Sequence, residues 1–288
     1  MMTVQSSTSS AHSVDALRTA LAEGFAAGGV QLPVLPQIAA RVMTLANDPD
    51  AELADLSDLI HQDQALAGNV LRIANSAAYC TGEAIVSLRQ AVMRLGMSVL
   101  SEIAIAACLQ GEALRTPGYE AYRRSLLVHA FISGGFAKEL ARQKRRNVEA
   151  MFLCGLMHTI GKPVVLRLVC DLQRNRAGRL GEAEVVRLAE EFQSQAAQAV
   201  TAAWKLPQQV QVVAVHHRDP ESAPAFVEES RNVSLAGALA TWSMTSDIEA
   251  DAIRSLPAWE ALNFYSDDVD AVLARKEALA QSAEAFMA

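Results

Sequence analysis

Histidine is the residue type here best suited to chemistry near neutral pH, because an imidazole can donate, accept or ligate a metal. Of the six histidines, five fall within the presumed folded body: His61, His129, His158, His216 and His217. His129 lies in Ser-Leu-Leu-Val-His-Ala-Phe and His158 in Phe-Leu-Cys-Gly-Leu-Met-His-Thr-Ile-Gly-Lys, both among apolar neighbours. An imidazole on an apolar helix needs a hydrogen-bond partner or a metal to offset its lost hydration. The adjacent pair His216-His217 adds two more such groups. Spacing alone leaves two readings: satisfied histidines of the core or its rim, or a convergent set of ligands. The first is the more economical.

Other reactive types are less suggestive. Cys80, Cys108, Cys154 and Cys170 are scattered with no C-x-x-C pair. They read as reduced thiols in a cytoplasmic protein, three of them in apolar helical patterns and Cys80 in a loop-like segment. The basic run Arg142-Gln-Lys-Arg145-Arg146 falls at an expected helix C-terminus, where cations complement the helix dipole. Its sharper alternative is a dock for an acidic partner or a nucleotide phosphate. The polar pair Asn75-Ser76 is read as a helix cap in preference to a site.

The elements that must position these residues read as helices. Hydrophobic residues make up 51% of the 288 and charged ones 20%, with few aromatics and much alanine. That favours closely packed helices over strands, which want β-branched and aromatic residues. The net charge of −7 and pI near 5.4 oppose a general affinity for nucleic acid or anionic membranes. No uninterrupted apolar run reaches the roughly 20 residues of a membrane helix. The Ser/Thr-rich start, Met1 to Ser13, lacks the basic and apolar parts of a secretory signal.

An Ala-rich helix is expected from Val14, within a tail-and-helix segment covering 1–29. Pro36 suits the first turn of a helix that buries Leu35, Ile38, Val42 and Leu45. Asp50 is expected to cap a helix carrying Leu53, Leu56, Leu59 and Ile60, and Asp63 one carrying Leu66, Val70 and Ile73. Ser87-Leu-Arg-Gln90 forms a capping box for a helix ending near Gly96, with another from Ser98. Thr116-Pro117-Gly118 marks a boundary between a front half, 30–115, and a rear half, 119–288. Rear helices are expected over Tyr122 to Gln143, Val148 to His158, Glu182 to Trp204, Pro207 to His217, Val233 to Trp242, and from Asp268 onward.

Several segments, taken together, resemble a known family. They are Leu32-Pro-Val-Leu-Pro36, Asp63 with Leu66 and Leu71-Arg-Ile-Ala-Asn75-Ser76-Ala, and Ser87 through Leu95-Gly96. Gly155-Leu-Met-His158-Thr-Ile-Gly161-Lys162, Trp204-Lys-Leu-Pro207 and His216-His217 follow in order. From about Leu32 to Asp219 the chain resembles the HD-related output domain (HDOD) family. The resemblance implies an all-α, multi-helical HD-like fold with an N-terminal helical bundle and a degenerate HD-type helical half.

Enzymes of the HD type hold divalent metal with a histidine, a His-Asp pair and a distant aspartate, and activate water against a phosphate ester. By motif position His129 matches the first histidine and His158 that of the pair, but Thr159 stands for its aspartate. The last aspartate falls near Gly237, and glutamines occupy 193 and 195 where some relatives have another histidine. The resemblance therefore implies a bacterial signal-transduction protein that binds a partner protein, a small ligand or a nucleotide without catalysis. No metal or cofactor is expected, and no receiver, cyclase or kinase domain accompanies it. Its expected ligand site is His129, His158, Thr159, His216 and His217, with Gly161 allowing a tight turn nearby. The alternatives are a divergent metal-dependent phosphohydrolase or cyclic-dinucleotide phosphodiesterase, and a nucleotide binder that does not hydrolyse.

Overall fold

The computed structural model describes residues 5–46, 48, 50–75, 82–174 and 179–287; the side chains of 5–13, 46, 65, 98 and 108 lie outside that description. Cys80 and Ser76 also fall outside it. The described residues form fifteen α-helices, two short 3-10 turns and no strand. The first helix is α1 (Gln5–Ala26). A front bundle follows: α2 (Gln37–Ala46), α3 (Leu53–His61), α4 (Gln64–Ala74) and α5 (Leu88–Leu109). The rear half holds α6 (Glu120–Gln143), α7 (Val148–Met157), α8 (Gly161–Gln173), α9 (Glu182–Ala203), α10 (Gln208–His216) and α11 (Val227–Met244). Four helices close the chain: α12 (Ala250–Arg254), α13 (Pro257–Ala261), α14 (Ser266–Leu273) and α15 (Lys276–Met287).

Local signals in the front bundle work largely as the sequence implies. Asp63 accepts from the Leu66 N–H at 3.0 Å, capping α4. Ser87 accepts from the Gln90 N–H, while the Gln90 side chain reaches back to the N–H of Val86. α2, α3 and α4 pack on α5, burying Val42, Leu56, Leu59, Ile60, Leu66, Val70 and Ile73. Gly96, at φ 79°, breaks α5 into two directions, so the expected pair of helices is continuous but sharply bent. Asn75 is a structural clamp: its amide donates to the Leu71 and Ile85 carbonyls and its oxygen accepts from the Ile85 N–H.

Several expectations need correction. α1 begins at Gln5 rather than Val14, since no breaker separates the polar start from the Ala-rich stretch. It rests on α8 and α9 of the rear half, through Phe25 stacked on Phe192 and Arg18 paired with Glu191. Asp50 does not cap α3; Asp55 does, by accepting from the Glu52 N–H, and Leu53 is exposed. The run after His158 continues into the unanticipated α8. The segment from Asp268 onward is two helices, not one.

Close helix contact in the rear half depends on glycine. A Cβ on Gly155 would lie 2.7 Å from the Cα of Gly134, so α6 and α7 cross almost backbone to backbone. Gly161 is not in a left-handed turn. A Cβ there would lie 2.0 Å from the Gln193 carbonyl, so its role is close approach of α8 to α9, correcting the turn reading. α7 and α8 form one stretch, Val148–Gln173, long and apolar enough to cross a membrane by length and composition. Of its apolar window 89% is buried inside the fold, as expected for core helices.

Two sequence landmarks meet at the junction of the halves. The Trp204 indole N–H donates to the Pro33 carbonyl at 2.8 Å, tying the Leu-Pro-Val-Leu-Pro segment to the end of α9. Three residues of the basic run are engaged within the fold: Arg142 pairs with Glu139, Arg146 with Glu228, and Lys144 donates to the Asn263 carbonyl.

Candidate functional site

The tight α6–α7 crossing at Gly134 and Gly155 brings the two helical histidines together. His129 faces His158 with ring centroids 5.4 Å apart, and His217 meets His158 edge to face at 4.8 Å. His158 and His217 terminate α7 and α10. Both are buried, as is Thr159. His216 does not join them: it faces Ser222, with Nδ1 at 3.0 Å from the hydroxyl oxygen. Adjacent residues at a helix end point in different directions, which removes His216 from the expected site.

Burial sets the charge of the cluster. It pushes His129 down to about 4, with the Lys162 cation adding to the effect. His217 also falls to about 4, through burial and then Arg218. His158 lies well below the ordinary imidazole value through burial and the proximity of His217 and His129. A helix C-terminus favours a cationic histidine, but here desolvation outweighs it. All three rings are neutral at pH 7.

A neutral imidazole has one N–H, and a carbonyl can only accept, so the partners fix the tautomers. His158 donates from Nδ1 to the Gly155 carbonyl at 2.6 Å, and His217 from Nδ1 to Ala214 at 3.2 Å. Each keeps a lone pair on Nε2. His129 is committed the other way: its Nε2–H donates to the Gly237 carbonyl at 3.2 Å, with the Thr241 hydroxyl equally near. The nitrogen that could join a shared metal is therefore occupied. A Cβ on Gly237 would stand 3.4 Å from His158 Nε2 and 4.0 Å from His129 Cε1, so the missing side chain would point at the cluster.

These donors do not fit the divalent metal of the HD-type reaction. Hard cations want carboxylate oxygens, whereas this site offers two free imidazole nitrogens, that of His158 facing Gly237, and the residue after His158 is the neutral Thr159. Among the described residues no group of three or more His, Cys, Asp or Glu side chains is arranged to hold a metal ion.

Beside the cluster lie Gln193, which the sequence reading noted only as a replaced histidine, and two residues it did not single out, Lys162 and Glu190. Gln193, fully buried, donates to the His158 carbonyl at 2.7 Å and leaves its own oxygen without a partner. Glu190, one turn earlier on α9, binds Lys162 at 2.6 Å and also Arg218. Burial raises the Glu190 carboxyl, but these two cations hold it below its usual value. Lys162 was discoverable: it sits four residues after His158. Glu190 was not, because only the fold brings α9 to that rim.

Residues 32–220 match the HDOD domain model, about two-thirds of the chain. This chain belongs to the HDOD family. An HDOD domain protein from Geobacter sulfurreducens has the same fold, with a TM-score of 0.71 and 24% identity over 93% of this chain and 97% of that one. A candidate metal-dependent phosphohydrolase from Shewanella amazonensis SB2B superposes with a TM-score of 0.69 at 21% identity, covering 94% and 99%. A candidate signal transduction protein from Marinobacter aquaeolei VT8 gives 0.63 at 23% identity, covering 89% of this HDOD chain and 60% of its own. An uncharacterized protein of Treponema pallidum (strain Nichols) is 25% identical over 215 residues, and this chain spans only 41% of its length. Neighbours at these identities share the fold, and a fold alone does not select an activity.

Proposed function

We propose that this HDOD protein is a regulatory module of bacterial signal transduction, acting in the cytoplasm by binding a partner protein or small ligand without catalysis. One observation carries the reading: at the position equivalent to the HD-type metal centre no carboxylate faces the histidines, and one of the three rings is turned away into a hydrogen bond with the backbone. His129 spends its Nε2–H on Gly237, whose own missing side chain is the one that would supply the distant carboxylate. Thr159 offers only a neutral hydroxyl where a second acid is needed. The landmark segments around this centre still pack as a unit, which supports an intact scaffold put to another use.

The test compares the wild-type chain with the double variant Thr159→Asp, Gly237→Asp. Both are dialysed against Mn²⁺, Mg²⁺, Fe²⁺ and Zn²⁺, analysed for bound metal, and assayed on bis(p-nitrophenyl) phosphate. The wild type is expected to bind no stoichiometric metal and turn over no substrate, while the double variant gains metal. Stoichiometric metal in the wild type with turnover lost in His158→Ala would overturn the reading in favour of a phosphohydrolase.

A further inference from the structure

The negative charge of the chain is concentrated in one place. The stretch from Asp247 to Asp270 holds seven carboxylates against one cation, Arg254, and so carries six of the chain's seven excess negative charges. It builds α12, α13 and most of α14, and lies outside the residues 32–220 that match the HDOD domain. A cleft of about 540 Å³ opens within it. Trp259 and Phe264, edge to face at 5.5 Å, line it together with Val269 and the half-buried Leu256. This apolar lining is held in place: the Trp259 indole donates to the Ile253 carbonyl at 2.8 Å, and the Phe264 N–H to the Trp259 carbonyl at 2.9 Å. Tyr265 stands at the edge, 80% exposed. An exposed aromatic beside a prebuilt apolar cleft is the composition of a protein interface, where tyrosine is enriched.

The charges around the cleft select the sign of what fills it. Within the lining, Arg254 is offset by Asp270 at 3.0 Å and Asp251 at 3.6 Å, whereas Glu260 has no ion pair among the described residues. On the same stretch Asp247, Glu249 and Asp267 are also exposed and without ion pairs among the described residues. Cations of the neighbouring elements are placed elsewhere. Lys144 lies over the Phe264 ring and lines the adjacent cleft toward α7, Arg275 reaches Glu139 of α6 at 3.7 Å, and Lys276 lies 3.9 Å over Trp242. We infer that the cleft docks a basic segment of a partner protein, which seats an apolar side chain beside Trp259, Phe264 and Tyr265 while its Arg or Lys residues meet Glu260 and Asp267. Opposite charge over so short a stretch speeds encounter and turns away acidic partners. The preformed apolar lining lowers the ordering cost of the contact. The cleft shares no residue with the histidine cluster, so this assignment holds or fails separately from the question of catalysis.

Fluorescence anisotropy on the full chain tests it, with the labelled peptide Lys-Arg-Leu-Leu-Arg-Lys as probe. One control replaces both leucines by serine and keeps the charge; the other replaces the basic residues by glutamate. The parent peptide is expected to bind saturably, about tenfold or more tighter than the serine control, and to weaken as salt rises. The glutamate control should not bind. Glu260→Lys and Tyr265→Ala, both at exposed positions, should each weaken the parent peptide about tenfold, with melting curves to establish that they fold. No saturable binding of the parent peptide at about 100 μM would overturn the docking site. So would equal affinity for the serine control, which would mean a bare charge field, or an affinity unchanged in Tyr265→Ala. Sedimentation equilibrium of the chain alone addresses the rival occupant, a second copy presenting its own basic run. An association state that neither variant changes is expected; a dimer that Glu260→Lys dissolves would overturn the separate partner.

Discussion

Three neutral imidazoles in contact make the stability of this protein depend on pH in a direction that can be stated. Unfolded histidines titrate near 6.5, whereas His129 and His217 in the folded chain titrate near 4 and burial beside those two rings holds His158 well below its ordinary value. Between those values the unfolded chain binds protons that the folded chain refuses. Their contribution is therefore fully present above about pH 6.5 and is lost as pH falls toward 4. Each buried histidine can contribute a slope of up to about 1.4 kcal/mol per pH unit, so three give up to about 4. Urea denaturation at pH 7.5, 6.5, 5.8 and 5.2 covers the window above most carboxylate titration. Stability should drop steeply toward the acid end, and His217→Gln should remove about one-third of the slope. A flat profile would mean that these rings are not buried as described.

Helix contacts divide the glycines into two classes, and substitution to alanine separates them. At Gly161 the added carbon would sit 2.0 Å from the Gln193 carbonyl, which belongs to the α9 backbone and cannot swing aside. Gly161→Ala should cost about 3 kcal/mol or more by forcing α8 from α9. At Gly237 the nearest atom is 3.4 Å away, an ordinary contact, and alanine gains about 1 kcal/mol of helix propensity. Gly237→Ala should therefore melt at or slightly above the wild-type temperature; a large loss would show that the glycine is kept for packing rather than left by a missing acid. The same contrast explains what the sequence disclosed. That His129, His158 and Gly237 lie together was legible because motif order fixes their positions. The caps at Asp63 and Ser87 were recoverable because they are local. Gly161 was misread because a glycine after a helix looks the same whether it turns the chain or admits a neighbour. His216 was included and Glu190 missed because direction around a helix end, and proximity across α9, are set only by packing.

Across the whole molecule, α15 is one of several ties between the front bundle and the rear half, beside the Trp204–Pro33 hydrogen bond and the Lys138–Glu102 ion pair of α6 and α5. Phe286 is 1% exposed and stacks on Phe131 of α6 with centroids 4.9 Å apart. The carbonyls at the end of α15 have no partners within that helix, and the fold supplies them from both sides. Arg72 of α4 donates to Ala285 and Phe286, Gln110 at the end of α5 donates to Phe286 at 2.8 Å, and Arg124 of α6 donates to Met287 at 2.8 Å. Two of these donors belong to the front bundle and one to the rear half. In the first turn of α15, Leu279 approaches α6 over Gly135, where an added Cβ would meet its side-chain end. Removing the aromatic plug should thus act on both halves at once. Phe286→Ala is expected to cost about 3–5 kcal/mol, the usual range for a buried phenylalanine. Hydrogen exchange distinguishes a joint from a local contact: protection should fall in α4 and the end of α5 as well as in α6 and α15. If exchange quickens only in α15, the helix is a surface appendage and the front bundle holds its place without it. Loss across all four elements, with the histidine cluster still neutral by its Cε1 proton shifts, would make α15 a fastener of the two halves.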